Sequence, residues 1–198
     1  MSTEPALMSL TAVAKAIAEK RLSSHEVTRS CLDRIAEWQP RLNAFMTIES
    51  EAALKAAVDA DAALAKGQSR GPLHGVPLAH KDMYYDAGKV VTCGSLIRRD
   101  FVPSITSTAL QRLKDVGQIR LGSLQMVEFA YGPTGHNVHY GAVRNPFATE
   151  HITGGESADN PHLARGCTAF FPRARALSTR RDCPSDCRQA ASDRRRTL

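Results

Sequence analysis

Residues 172–198 contain only two large aliphatic side chains, Leu177 and Leu198. A stretch so poor in apolar surface cannot offset the entropy lost on ordering it, so any core this chain of 198 residues builds must come from the residues before it. Charge divides the chain at nearly the same place. Residues 1–161 hold 17 Lys+Arg and 17 Asp+Glu, whereas 162–198 hold 9 basic and 3 acidic residues, which accounts for the whole net charge of +6. The tail has arginine but no lysine, and it carries Cys167, Cys183 and Cys187, three of the five cysteines. The expected organisation is a folded N-terminal part over 1–161 and a basic, Arg/Cys-rich tail over 162–198 that is disordered or out of frame.

This division weakens the case for nucleic acid as a partner. The run "SDRRRTL" could hold phosphates by charge, but it has no interleaved aromatics and no recognised binding fold around it. No apolar run approaches membrane-spanning length, and the N-terminus "MSTEPALMSLTAVAKAIAEK" lacks the pattern of a secretory signal, so a cytoplasmic protein with no membrane partner is expected. No metal and no cofactor are expected either. His136 and His139 in "GHNVHYG" have H-x-x-H spacing without a third ligand, and Cys183 with Cys187 are too few for a zinc site.

The part before the boundary reads as α/β. Leu10, Val13, Ala14 and Ile17 recur at helical spacing. A second helix begins at Ser23, where Glu26 completes a capping box; Val27, Cys31, Leu32 and Ile35 form its inner stripe and Pro40 is expected to stop it. The alanine-rich segment 51–66 predicts a third helix ended by Gly67. After the loop "GQSRGPLHG", the short apolar run "VPLAH" predicts a buried strand; a helix near 107–116 and a second strand in "QIRLG" follow. Strands alternating with helices imply a sheet covered by helices.

One charged pair stands against this pattern. Lys81 and Asp82 come directly after the apolar strand. A lysine at the inner end of a buried strand loses water, and desolvation moves such an amine toward a pKa at which it can act as a base.

The blocks "GPLHGVPLAHKDMYYDAGKVVTCGS", "EFAYGPTGHN" and "RNPFATEHITGG", in that order, resemble the amidase signature family of serine amide hydrolases, and more narrowly its bacterial amidases, across about residues 7–155. The resemblance implies a mixed sheet covered by helices, here incomplete, because a full family member is more than twice as long and its sheet continues through strands absent from this chain. An open, apolar sheet edge would follow. It also implies hydrolysis of a small-molecule carboxylic amide to an acid and ammonia or an amine, through a lysine, a serine in a cis peptide and a nucleophilic serine. Lys81 falls on the lysine of that set as its base. Gly154 and Gly155 fall on the glycine loop whose amides stabilise the oxyanion. Thr92, Gly94 and Ser95 match a turn of small residues, with Cys93 as a buried thiol, and Glu128 and Phe129 match a block read as loop positioning and core packing. The amidotransferase A-subunit-like proteins, which supply ammonia to misacylated transfer RNA, are a variant of the same family.

The departures from the family pattern lie toward the C-terminus. Ser123, Leu124 and Gln125 stand where relatives carry Lys, Thr and Asn, a change expected to alter loop packing and not chemistry. Glu156 occupies the place of the cis serine, leaving Ser157 as a weak candidate beside it, and a glutamate has no hydroxyl with which to relay a proton. At the distance of the nucleophile the chain offers Ser178 with no glycine loop around it. Codons for Arg180–Pro184 read one base later can encode Gly-Gly-Thr-Val, so a frameshift beginning near 156–165 is expected. The chain as written is then inactive, or a noncatalytic remnant or binding fragment of an amidase.

Overall fold

The computed structural model describes residues 4–153. The tail over 162–198 and the frame change expected near 156–165 lie outside them. Helix α1 (Leu10–Ala18) starts at Ser9, whose hydroxyl accepts from the Ala12 amide. Helix α2 (Ser24–Leu42) has the expected capping box: Ser23 Oγ accepts from the Glu26 amide at 3.0 Å, and the Glu26 carboxylate accepts from the Ser23 amide at 2.8 Å. A second device secures the same end. Asp61, on α3 (Ser50–Ala65), accepts from the amides of Ser24 at 2.7 Å and His25 at 3.0 Å, two donors that have no partner inside their helix.

Pro40 does not stop α2, which continues to Leu42. The proline sits in the last turn, where its missing N–H removes one bond and not a run of them. The helix ends instead at Asn43, whose left-handed backbone (φ 52°) lets its amide bond the Gln39 carbonyl at 2.9 Å.

Three strands form a mixed sheet in the order β1-β3-β2. β2 (Pro77–Lys81) and β3 (Ile119–Leu124) are parallel and joined through helix α4 (Thr108–Asp115), whereas β1 (Phe45–Ile48) runs antiparallel to β3. β1 is not foreseen by the sequence pattern. Its four residues, "FMTI", have one buried position and no clean alternation, and its start is held by a side chain: Gln39 accepts from the amides of Ala44 and Phe45 and donates to the Phe45 carbonyl at 2.9 Å. The core lies between this sheet and α1–α3, with Val13, Ile17, Val27, Cys31, Leu78 and Leu121 essentially sealed from water. Short hairpins complete the described chain: β4 (His136–Asn137) with β5 (Gly141–Ala142), and β6 (Arg144–Asn145) with β7 (Ala148–Ile152).

β2 has one hydrogen-bonded neighbour among the described residues, yet Pro77–His80 are all buried. At the other edge Ile48 of β1 is 40% exposed, and further apolar exposure lies on the loops, at residues such as Ile97, Ile105, Tyr131 and Val138.

Gly122 sets the closest approach in the sheet. It pairs with Ile48 at φ 155°, and a Cβ there would lie 2.9 Å from the carbonyl carbon of Thr47 and nearer still to its oxygen. Gly122→Ala is expected to destabilise the chain by at least about 2 kcal/mol in urea unfolding. Gly67→Ala, which meets nothing within 4 Å, should cost about 1 kcal/mol for its left-handed backbone.

Behind β2 and β3 lies a charge network. Arg120 reaches Asp86 at 2.7 Å and Glu49 at 3.1 Å, Lys114 also pairs with Asp86, and Lys89 binds Glu49 at 2.8 Å. Burial works to raise the Asp86 carboxyl, but Lys114 and Arg120 outweigh it and hold the pKa below the usual range. His80 faces this network and contacts Gln118 Oε1 at 3.2 Å; burial first, then the Arg120 charge, push its pKa down to about 4. The folded imidazole therefore stays neutral where the unfolded one takes a proton, and stability falls as pH drops from 6.5 toward about 4. Between about pH 7 and pH 5 this group should remove about 2 kcal/mol of unfolding free energy. His80→Gln should flatten that part of the profile, and urea titrations at the two pH values check it.

Candidate active site

In parallel sheets, ligands bind beyond the carboxyl ends of the strands, where loops diverge from the packed layer. The carboxyl ends of β2 and β3 are Lys81 and Leu124, paired in register. Lys81 closes its strand and is half-buried, after four buried positions. Its side chain therefore sits at the transition from core to loop.

Asp82 organises the loop beyond the strand. Its amide bonds the Leu124 carbonyl at 3.2 Å, which extends the ladder by one step past Lys81. Its carboxylate is buried and accepts from the Thr92 amide at 3.1 Å and the Thr92 hydroxyl at 2.5 Å, and its carbonyl accepts from the Cys93 amide at 2.9 Å. Burial raises the Asp82 pKa; the Thr92 hydroxyl, the amides of Thr92 and Gly94, and Arg120 oppose that rise. The Thr92 oxygen also accepts from the Gly94 amide at 3.0 Å. The turn of small residues is thus anchored on the residue next to Lys81.

The turn itself needs its glycine. Cys93 and Gly94 are both left-handed, at φ 54° and 70°, and a Cβ on Gly94 would come within 2.8 Å of Asn137 Nδ2 and the Met126 carbonyl. Cys93 is buried, and burial pushes its thiol pKa up, in keeping with a packing role. Ser95 is sealed from solvent and donates to Glu128 at 2.6 Å; His139 Nε2 meets the same carboxylate oxygen at 3.1 Å. These contacts, with the Ser95 bond first, hold the Glu128 carboxyl below its ordinary range. Glu128 therefore ties two loops together, as its loop-positioning reading expected.

Phe129 does not pack in the core. It is half exposed and left-handed (φ 51°), and its amide bonds the Cys93 carbonyl at 2.8 Å. Its backbone is the part that joins the loops, so its apolar character is a misleading guide to its place. His136 is exposed, and His139 belongs to the Glu128 contact; no group of three potential metal ligands exists among the described residues.

Asn137 is not singled out by the sequence, and it is central here. Buried in the loop cluster, it donates to the carbonyls of Gly94 at 2.7 Å and Met126 at 2.8 Å and accepts from the amides of His139 and Tyr140. The signal available is a lone amide between glycines and histidines, too common to carry weight alone. Ser123 and Gln125, two of the departures from the family pattern, also serve packing: Ser123 Oγ pairs with Thr47 Oγ1 at 2.7 Å, and Gln125 donates to the Tyr140 carbonyl at 3.1 Å.

Lys81, Asp82, the 92–95 turn and the 128–140 loop are thus gathered at one end of the sheet. Gly154, Gly155, Glu156, Ser157 and Ser178 lie outside the described residues. Thr153, the last described residue, is buried, and a Cβ on Gly135 would run into its hydroxyl.

Residues 26–158 match the family described as Amidase. The chain is 44% identical over 184 residues to the A subunit of glutamyl-tRNA(Gln) amidotransferase from Azoarcus sp. (strain BH72), covering 93% of this chain and 36% of that protein. It is 39% identical over 180 residues to the protein of the same name from Acidothermus cellulolyticus, covering 91% and 34%. Among solved structures it resembles a chain from a vestigial protein complex tied to the origins of an s-triazine catabolic enzyme, with TM-score 0.74 and 36% identity over 79% of this chain and 35% of that one. It also resembles the peptide amidase of Stenotrophomonas maltophilia, with TM-score 0.70 and 31% identity over 76% and 32%. The chain spans about a third of the length of these relatives. No helix among the described residues is long and apolar enough to cross a membrane. With the family match covering residues 26–158, the chain belongs to the amidase-signature family.

Proposed function

We propose that this chain carries the lysine-bearing part of an amide-cleaving site of the amidotransferase A-subunit type, which releases ammonia from a small carboxylic amide. The observation that carries the reading is Lys81 at the carboxyl end of β2, with Asp82 fixing the next turn beside it. The similarity to proteins named as A subunits of an amidotransferase favours this variant over a free-standing amidase.

In the proposed reaction, Lys81 acts as the base. Its amine takes a proton relayed from the hydroxyl that attacks the amide carbonyl, and the amides of Gly154 and Gly155 bind the oxygen as it gains negative charge. The C–N bond then breaks, nitrogen leaves as ammonia with a proton returned to it, and water releases the acid from the acyl-serine. Ser157 is the one hydroxyl next to the relay position, with Glu156 occupying that position itself.

Glu156, and the lack of a glycine loop around Ser178, favour a second reading, in which this product is a noncatalytic piece of an amidase gene. We also propose that a change of reading frame near 156–165 produced the tail. Two observations pull apart here. The family match stops at 158, whereas the Azoarcus match covers 93% of the chain and so extends past residue 161. Sequencing the locus separates them: a glycine-glycine-hydroxyl loop in a shifted frame supports the change, and its absence from every frame ends it.

Activity is tested on simple aryl and alkyl amides by ammonia release. The chain as written is expected to give no turnover above background. Once the domain is completed with the remaining two thirds of the Azoarcus relative, turnover should appear, and Lys81→Ala should lower kcat by about 10²–10⁴-fold. A completed domain that works equally well without Lys81 removes the proposed role.

A further inference from the structure

Among the described residues, Arg34, Arg98 and Arg120 are the half-buried arginines. Arg34 meets Glu4 at 3.5 Å, and Arg120 meets Asp86 at 2.7 Å and Glu49 at 3.1 Å. Arg98 has no described carboxylate within ion-pair distance. It is nevertheless held in one place. Leu96–Arg98 form a single 3-10 turn, the Arg98 carbonyl accepts from the Phe101 amide at 2.9 Å, and the Phe101 carbonyl accepts from the Val91 amide at 3.0 Å. The guanidinium lies 3.9 Å from the centre of the Phe101 ring and 5.2 Å from that of Tyr85, and its Nη2 donates to the Tyr85 hydroxyl at 3.1 Å. Tyr85 is fixed in turn, because its carbonyl accepts from the Ser107 amide at 2.8 Å. The flat cation thus rests against aromatic rings, which attract it without consuming its N–H groups.

Those N–H groups are mostly unused. Of the donors a guanidinium carries, the Tyr85 hydroxyl takes one. Nε is buried without an acceptor, and Nη1 has none among the described residues. A buried donor without an acceptor is disfavoured, and a half-buried charge without a counter-charge is costly to keep, so packing alone does not account for an arginine here. The carboxylates around it are engaged elsewhere. Asp82, whose charge acts with that of Arg98 on the Cys93 thiol, is bonded by Thr92, and Asp100 pairs with Arg99 at 3.0 Å.

We propose that Arg98 anchors a carboxylate-binding site, which takes a small monocarboxylate with an apolar body at the Nη end of the guanidinium. Geometry selects the carboxylate: Nη1 and the second hydrogen of Nη2 form a planar fork that the chain does not use, and such a fork matches the two oxygens of a carboxylate. Charge selects a monoanion. One guanidinium, beside an Arg99 already paired with Asp100, balances one negative charge and leaves a phosphate dianion in excess. The apolar body is selected by Phe101, because the ring against the guanidinium stays 38% exposed. Since the rings fix the guanidinium beforehand, a ligand has little of the chain to order when it binds. The inference stands apart from amide cleavage and holds whether or not the chain turns over an amide.

Benzoate titrated into the full chain at neutral pH and low salt tests the site, with binding read from the backbone and arginine side-chain N–H signals in NMR. Binding should saturate, with the Arg98 and Phe101 signals among those that move most. Benzamide, of the same shape without the charge, and inorganic phosphate should each bind about tenfold more weakly or less. Acetate, which lacks the apolar body, should also bind more weakly than benzoate. Arg98→Lys keeps a cation against Phe101 but loses the fork, and should cut benzoate affinity about tenfold or more while the rest of the spectrum is retained. Arg98→Gln should abolish binding, and the lysine variant gives the answer even where the glutamine variant unfolds. Absence of saturable benzoate binding overturns the proposal, as does an affinity unchanged in Arg98→Lys or matched by benzamide. Phosphate binding more tightly than benzoate assigns the guanidinium to another anion and overturns it equally.

Discussion

The buried carboxylate of Asp82 is the contact on which the candidate site depends. Its hydrogen bonds to Thr92 turn a strand end into a fixed corner, and the Asp82 amide continues the ladder to Leu124. Removing a carboxylate from water is costly unless several donors replace the lost hydration. Here burial raises the pKa and the surrounding donors act against it, so the charge is tolerated only with the 92–95 turn in place. The dependence runs both ways. The turn, with two successive left-handed residues, has no regular ladder of its own and takes its shape from Asp82 on one side and Asn137 on the other.

From that corner, order propagates by short polar links and not by apolar packing. Gly94 hands on to Asn137, Asn137 to the backbone of Met126 and Tyr140, and Ser95 to Glu128 and His139. Such a network suits the end of a sheet, where backbone groups leave their ladders and must find other partners. The core beneath is of a different kind. Its helix stripes and buried strands are complete within the described residues, and the charge network around Arg120 closes the side that faces α4.

This difference explains what the sequence disclosed. The helices were legible by apolar residues at helical spacing or, in α3, by a run of alanines, and the start of α2 was marked by its capping box of Ser23 with Glu26. The two parallel strands were legible as apolar runs bounded by loops. β1 was not, since its position comes from Gln39 and from the space left by Gly122, both set by tertiary contacts. Pro40 misled for a related reason, because its effect depends on how near the helix end it falls and Asn43 determines that end. At the site, Lys81 stood out because a charge after an apolar run conflicts with burial. Asn137 did not, because its role is written in the carbonyls it meets and not in its neighbours along the chain.

The same contrast bears on how the described residues hold a defined shape. A sheet of three strands among the described residues needs cover, and here α2 and α3 supply it on one side while the network of Arg120, Asp86 and Lys114 fastens the loop beyond β2. Pro77–His80 are therefore buried although the strand is last in its sheet among the described residues. Apolar surface left uncovered is displaced outward, onto loops whose backbones are already held by hydrogen bonds and ion pairs. A loop held by its own polar ties needs no further cover in order to form, even with Ile97 and Ile105 turned to solvent. Order at the carboxyl end of β2 is thus set by contacts within the described residues, which fix the corner at Lys81 and Asp82 without help from further chain.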